Sequence, residues 1–347
     1  LLTSSSTATA TALAVSVSAA QPTDENGEKP SLWEKIKEKF ASANSKANAE
    51  ATSVAPGIDT EGDAGRQVDN LTVTMSSAGL IVDVDRQFTT AAGNDTVTNS
   101  GVLDAAATAR TLAGAADVKI ETEGTASSET NATAKAQVGG VLTGGGIDTV
   151  TNSGAITAAA DSEAGAVAVS FTQPDGKAVK SKAESKATAE ATATGIGTDD
   201  GRESEVLDTQ LSIGPEGIDF TWHAEETASA ETDTVANTGA IIASALTVSG
   251  AGGAAVSMDG AAKADATASS TSQAVAVDTG GGGDIITNDG YLIATGNAIS
   301  GAVALSYGQK TDEKTKPKVA VDVGATSDST AVGIRSDSGA NTLTDIT

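Results

Sequence analysis

One string limits what this chain can fold into more than any other feature. It is Gly144–Gly154, reading G-G-G-I-D-T-V-T-N-S-G. It returns as Gly93–Gly101 (G-N-D-T-V-T-N-S-G), Asp233–Gly239 (D-T-V-A-N-T-G) and Gly280–Gly290 (G-G-G-G-D-I-I-T-N-D-G). Each copy has a glycine or polar turn, an Asp, a short β-branched run, an Asn and a Gly. One such string would be a turn and a strand. Four of them mean an array of stacked units.

The array also has a long period. Gly57-Ile58, Gly195-Ile196 and Gly333-Ile334 are separated by 195 − 57 = 138 and 333 − 195 = 138. A second series is offset by 136, as in 284 − 148 for the motif aspartates. The expected organisation is one continuous array over 1–347, with units 57–194 and 195–332 and partial units 1–56 and 333–347. Because the chain starts and stops inside the repeat, a segment of a longer array is expected.

Composition narrows the core. Aromatic residues are 2% of the chain, and the 39% hydrophobic fraction is largely Ala and Val. A broad globular core needs large side chains to fill it. Small ones suit a thin core between close sheets. Ala41–Val54 and Lys182–Thr194 alternate Ala with polar residues, the period-two signature of strands. The 38 Gly and 6 Pro fit many tight turns between uninterrupted strands.

The same reading gives a coil ruler. Met75 to Asn99 and Ile213 to Asn237 are each 24 residues, which suggests one small coil apiece. Asn99 to Asn152 is 53 and Asn237 to Asn288 is 51. The longer circuits hold either a second coil without an Asn-Gly turn or a hairpin arm. Gln173–Lys177 and Gln309–Lys318 have the look of arm tips. One segment breaks the pattern. Ser31 and Glu34 form a capping box, and Leu32, Trp33, Ile36 and Phe40 share a helical face, predicting an inserted helix over 31–40. It could cover the flank or act as a docking point.

Stacked coils would pile each motif residue on its counterpart. Asn99, Asn152, Asn237 and Asn288 would form an amide ladder. Gly101, Gly154, Gly239 and Gly290 would supply backbone angles that other residues resist. Val97, Val150, Val235 and Ile286 would point inward. This Asn-and-Gly turn resembles the coils of right-handed parallel β-helix surface proteins of bacteria, namely autotransporter passengers and filamentous-haemagglutinin-like adhesins. The resemblance implies an all-β parallel β-solenoid and an extracellular or cell-surface setting. It also implies partners among neighbouring chains of the same fibre, or a glycan or cell-surface partner.

The residues before each Asn are similar to the calcium-binding nonapeptide of RTX proteins, G-G-x-G-x-D-x-U-x. Gly144, Gly146, Asp148 and Val150 match it, as do Gly280, Gly282, Asp284 and Ile286. Asp95 and Asp233 match less fully. Asp95, Asp148, Asp233 and Asp284 are therefore candidate calcium ligands, against plain turn aspartates as the competing reading. A calcium-dependent module recognising glycan, ice or a partner protein is the alternative function. A polysaccharide-degrading β-helix is a minor one.

Other classes are excluded or weakened. A net charge of −25 repels phosphate backbones, so nucleic acid is not an expected partner. The chain has no Cys for disulfides or thiolate sites. No apolar run reaches about 18 residues, so no transmembrane helix is expected. Leu1–Ala20 lacks the basic start of a secretory signal. His223 is the single histidine, with no cluster around it, and the expectation is a non-enzymatic structural rod.

Overall fold

The computed structural model describes residues 1–19, 44–60, 65–76, 79–90, 94–120, 125–173, 179–198, 204–214, 217–227, 232–258, 260–309, 318–336 and 341–344. For 17–19, 44, 65–76, 79–90, 120, 179, 204–214 and 217–227 the backbone alone is described. The helix expected over 31–40, with Leu32, Trp33, Ile36 and Phe40, lies outside the described residues.

The chain is an all-β parallel β-solenoid. The first coil holds β1 (Leu2–Ala19) and β2 (Asn44–Asp59), then a hairpin of β3 (Gly65–Ser76) and β4 (Gly79–Thr90). The second holds β5 (Thr96–Asn99), β6 (Val102–Ile120) and β7 (Thr125–Leu142). The third holds β8 (Thr149–Asn152), β9 (Ala155–Gln173) and β10 (Val179–Gly197), with a hairpin of β11 (Ser204–Gly214) and β12 (Gly217–Thr227). The fourth holds β13 (Thr234–Asn237), β14 (Ala240–Ser257) and β15 (Gly260–Asp278). The fifth holds β16 (Ile285–Asn288), β17 (Tyr291–Gly308) and β18 (Val319–Arg335), and β19 (Thr342–Thr344) follows.

Equivalent strands stack in parallel. Sheet A runs β1-β6-β9-β14-β17, sheet B runs β18-β15-β10-β7-β2, and the short sheet D runs β19-β16-β13-β8-β5. Sheets A and B face each other. Their inward positions are mostly alanine, including Ala105, Ala107, Ala109, Ala132, Ala134, Ala187 and Ala189. Buried serines fit the same small volume and stitch the sheets together. Ser162 Oγ donates to the Ala134 carbonyl at 2.8 Å and Ser170 Oγ to that of Ala126 at 3.0 Å. One serine reaching the opposite backbone puts these sheets well inside the ~10 Å of ordinary sheet stacking.

Where sheet D closes the coil, three sheets meet and the space widens. Branched residues fill it: Val97, Val150, Val235 and Ile286 from sheet D, Leu103, Ile156 and Ile241 from sheet A, and Val141, Ile196 and Val277 from sheet B. The Gly-Ile pairs sit at this corner. A Cβ on Gly195 would strike the Ala276 carbonyl oxygen and the Ile241 side chain, so glycine lets the coils approach there, although Ala276 stands at the same place in the fourth coil.

The hairpins correct the coil ruler. Met75 pairs with Leu80 and Ile213 with Ile218, both antiparallel and next to a hairpin tip. The 24-residue spacings therefore run from an arm tip back to the next Asn of sheet D, and the true circuits run Asn99 to Asn152 and Asn152 to Asn237. The arms are also not where expected. Gln173 ends β9 and Gln309 follows β17, so those stretches connect sheet A to sheet B within a coil. The two real arms join each other, because β4 pairs with β11 in a four-stranded antiparallel sheet. The spacing explains the fusion. Arms leave every second coil, about 9.6 Å apart, and a two-strand arm is also about 9.6 Å wide. Each 138-residue period is thus one armed and one unarmed coil.

Candidate functional site

The stacked turn is the most repeated feature of the molecule, and it is polar where everything beside it is apolar. Two ladders run along it.

The first is the asparagine ladder. Asn99 Nδ2 donates to Asn152 Oδ1 at 2.8 Å, Asn152 to Asn237 at 2.7 Å and Asn237 to Asn288 at 2.6 Å. The same amides reach the carbonyls of Gly101, Gly154, Gly239 and Gly290, two residues on. All four asparagines are buried. A buried amide is costly unless paired, and stacking identical amides pairs each with the next. The structure brings these residues together as the spacing predicts.

The glycines serve a different purpose from the one expected. None of Gly101, Gly154, Gly239 and Gly290 is among the glycines with left-handed backbone. A Cβ on Gly154 would run into the Gly101 carbonyl oxygen, one on Gly239 into Gly154, and one on Gly290 into Gly239. Close coil-to-coil approach demands glycine here. Left-handed backbone occurs instead in the preceding turns, at Gly144, Gly146, Gly280 and Gly282.

The second ladder is made by the candidate calcium ligands. The Asp95 N–H donates to Asp148 Oδ1 at 2.8 Å, that of Asp148 to Asp233 at 2.9 Å and that of Asp233 to Asp284 at 3.1 Å. Asn341 takes the same place in the next coil, accepting from the Asp284 N–H at 2.9 Å. The second carboxylate oxygen accepts a threonine hydroxyl: Thr60 to Asp95 at 2.7 Å, Thr198 to Asp233 at 2.6 Å and Thr279 to Asp284 at 2.7 Å. Thr143 holds the equivalent position before Asp148. In the unarmed turn Thr279 and Asp284 are 5 residues apart, and in the armed turns the separation is 35. Each arm is therefore an insertion of 35 − 5 = 30 residues that leaves the Thr–Asp pair in place.

Burial shapes the charge of this ladder. Asp148, Asp233 and Asp284 are all buried. Loss of hydration pushes the Asp233 carboxyl up to about 6. Hydrogen bonds from Thr198 and the Asp148 amide oppose the rise, and the flanking Asp148 and Asp284 carboxylates add to it. Among the described residues, no three His, Cys, Asp or Glu side chains gather to hold a metal ion. At Asp233 and Asp284 the carboxylate oxygens that a cation would use take N–H and O–H donors of the chain.

Two buried charges escaped the sequence reading. Asp117 and Lys119 occupy inward positions of β6. The Ser45 N–H donates to Asp117 at 3.0 Å, and burial raises this carboxyl while it lowers the Lys119 amine. Counting the alternation from Ala105 would have flagged both, since odd positions of β6 face inward. His223 lies on β12, where only the backbone is described. Of the remaining acidic residues near the arms, Asp59 is exposed at the end of β2.

Fold and ladders together define a parallel β-solenoid with a two-coil repeat and a polar spine. No protein-family model matches the chain, and neither a curated protein nor a solved structure does. No helix among the described residues is long and apolar enough to cross a membrane.

Proposed function

We propose that the chain is a non-enzymatic structural protein of the bacterial exterior: a stiff, acidic β-solenoid rod serving as an adhesin stalk, surface layer or matrix fibre. One observation carries this reading. Core and spine repeat from coil to coil, so the chain spends its sequence on continuity along an axis. Every coil adds a full set of inter-strand hydrogen bonds in three sheets and one rung in each turn ladder. That arrangement resists bending and stretching. The net charge of −25 keeps such rods soluble.

The test is where the protein sits. Antibody against this chain should label intact, unpermeabilised cells that produce it, and brief external protease should remove the label. Labelling only after permeabilisation would reject the reading. Calcium is checked separately. Titration of the chelated chain should release no heat and leave the melting temperature unchanged, because the turn carboxylates have donors of their own. A saturable heat would restore the calcium-dependent module.

A further inference from the structure

The outer face of sheet A differs from the rest of the surface. Four adjacent columns of outward side chains carry no charge, on a chain whose net charge is −25. The first column is Thr11, Leu112, Gly165, Gly250 and Gly301. The next two alternate large and small. One reads Leu13, Gly114, Val167, Gly252, Val303, and the other Val15, Ala116, Val169, Ala254, Leu305. The fourth continues the alternation with Val118, Phe171, Val256 and Tyr307. In these last three columns ridges stand on β1, β9 and β17 and valleys lie on β6 and β14, while in the first column Leu112 of β6 stands up and β9, β14 and β17 carry glycine. The ridge residues are open to solvent: Leu13 is 78% exposed, Val167 49% and Val303 63%.

Gly114 and Gly165 make room for Leu13 and Leu112 of the neighbouring strands, but Gly250, Gly252 and Gly301 have no such use within one copy. A Cβ on Gly250 or Gly301 would meet nothing within 4 Å, and one on Gly252 would make only ordinary contact with Val167 at 3.8 Å. None of them is among the left-handed glycines. Glycine in a strand interior weakens the strand and often marks where another backbone comes close.

We propose that this face packs against the same face of a second copy, with the two rods antiparallel. Ridges recur every second strand, and valleys recur at the same interval one strand away. A twofold axis parallel to the strands, midway between β9 and β14, sets each ridge over a valley. Val167 then enters the hollow at Gly252 of the second copy, Val169 meets Ala254, and Val303 and Leu305 meet Gly114 and Ala116. A twofold interface must be self-complementary, and this corrugation is. With the axis there β1 lies beyond the overlap, and the shared block covers about 500 Å² per copy, from four strands at ~4.8 Å and four columns at ~6.6 Å. Two copies bury about 1,000 Å², the threshold that a biological interface has to clear. Contiguous apolar surface of this size is a mark of association. The outer face of sheet B provides the contrast, with exposed ion pairs Lys46–Glu129 at 2.9 Å and Lys135–Glu190 at 2.9 Å.

The pairing rests on the reading of the chain as a rod within a larger assembly, and sedimentation of the full chain tests it. The wild type should show twice the 33.9 kDa of one chain as concentration rises. Gly252→Arg and Gly301→Arg, which collide with nothing inside a copy, should each sediment as single chains with unchanged thermal melting. The chain has no cysteine, so a second readout is clean. A mixture of Val169→Cys and Ala254→Cys chains should oxidise to a linked pair. A mixture of Thr188→Cys and Ser269→Cys, neighbours on the outer face of sheet B, should not. A wild type that stays single at every concentration would overturn the pairing. So would arginine variants that associate normally, or linkage through sheet B. Phosphatidylcholine vesicles that capture single wild-type chains but not Gly252→Arg would assign the face to lipid, again overturning it. None of these outcomes touches the surface-labelling result, and failed surface labelling leaves the pairing standing.

Discussion

The alanine slab between sheets A and B and the branched wedge beside sheet D are two cores made by one coil. In the slab, two sheets run face to face and methyl groups fill the gap, helped by serines such as Ser162 that bond across it. In the wedge, three sheets meet at a corner, and Leu103, Ile156, Val150 and Ile196 fill the wider space. The difference teaches that residue size here follows local sheet geometry and not depth of burial. Ala107 and Ile156 are equally hidden from water, at 1% and 0% exposure. They answer to different distances between backbones.

The comparison breaks hardest where the two cores share a corner. Gly154→Ala places a methyl group on the Gly101 carbonyl oxygen, so the turn has to move apart from its neighbour. The expected cost is at least about 3 kcal/mol, read as a fall in denaturation midpoint. A near-neutral result would mean the coils are not stacked this closely. Within the cores, opposite changes of size should both destabilise. Ile241→Ala in the wedge leaves a cavity and should cost about 2–5 kcal/mol. Ala189→Leu in the slab overpacks and should cost about 1–3 kcal/mol. If the slab accepted the larger residue freely, the close approach of sheets A and B would be wrong.

Acid sharpens the contrast between these apolar cores and the polar spine. The Asp233 carboxyl is raised from 3.8 to about 6 in the fold. Its contribution to stability is thus full below about pH 4 and is lost as pH rises through about 6. The chain should melt higher at pH 4.5 than at pH 7, by an amount that Asp233→Asn removes. Asn341 shows that the ladder accepts an amide in this place. A melting curve indifferent to pH over that range would show that the buried carboxylate carries no strain. The smallest effect belongs to the outer surface. Lys135→Ala breaks the exposed pair with Glu190 and should cost no more than about 1 kcal/mol, less in high salt.

Much of this was legible in the sequence, for a physical reason. β5, β8, β13 and β16 are each four residues long, follow an Asp and end on an Asn, so the Asn99–Asn288 ladder and the inward Val97, Val150, Val235 and Ile286 could be named directly. The arms misled because alternation does not say what a strand pairs with. Leu71–Met75 alternates like a coil strand and yet pairs antiparallel within a hairpin. The Thr–Asp pairing was hidden by the same insertions, since the arm moves Asp95 from 5 to 35 residues after Thr60. The ladder glycines were located correctly, but their cause, a carbonyl of the neighbouring coil, belongs to tertiary structure.

The central claim is that residues far apart in sequence lie directly above one another along an axis. Glu50, Thr133, Thr188, Ser269 and Thr326 form one outward column of sheet B. Spin labels on cysteines at Glu50 and Thr326 should lie about 19 Å apart, four strand spacings of ~4.8 Å. Labels at Thr52 and Asp328, one column over, should give the same separation. Broad distributions, or a separation of twice that value, would mean the chain does not wind into this rod.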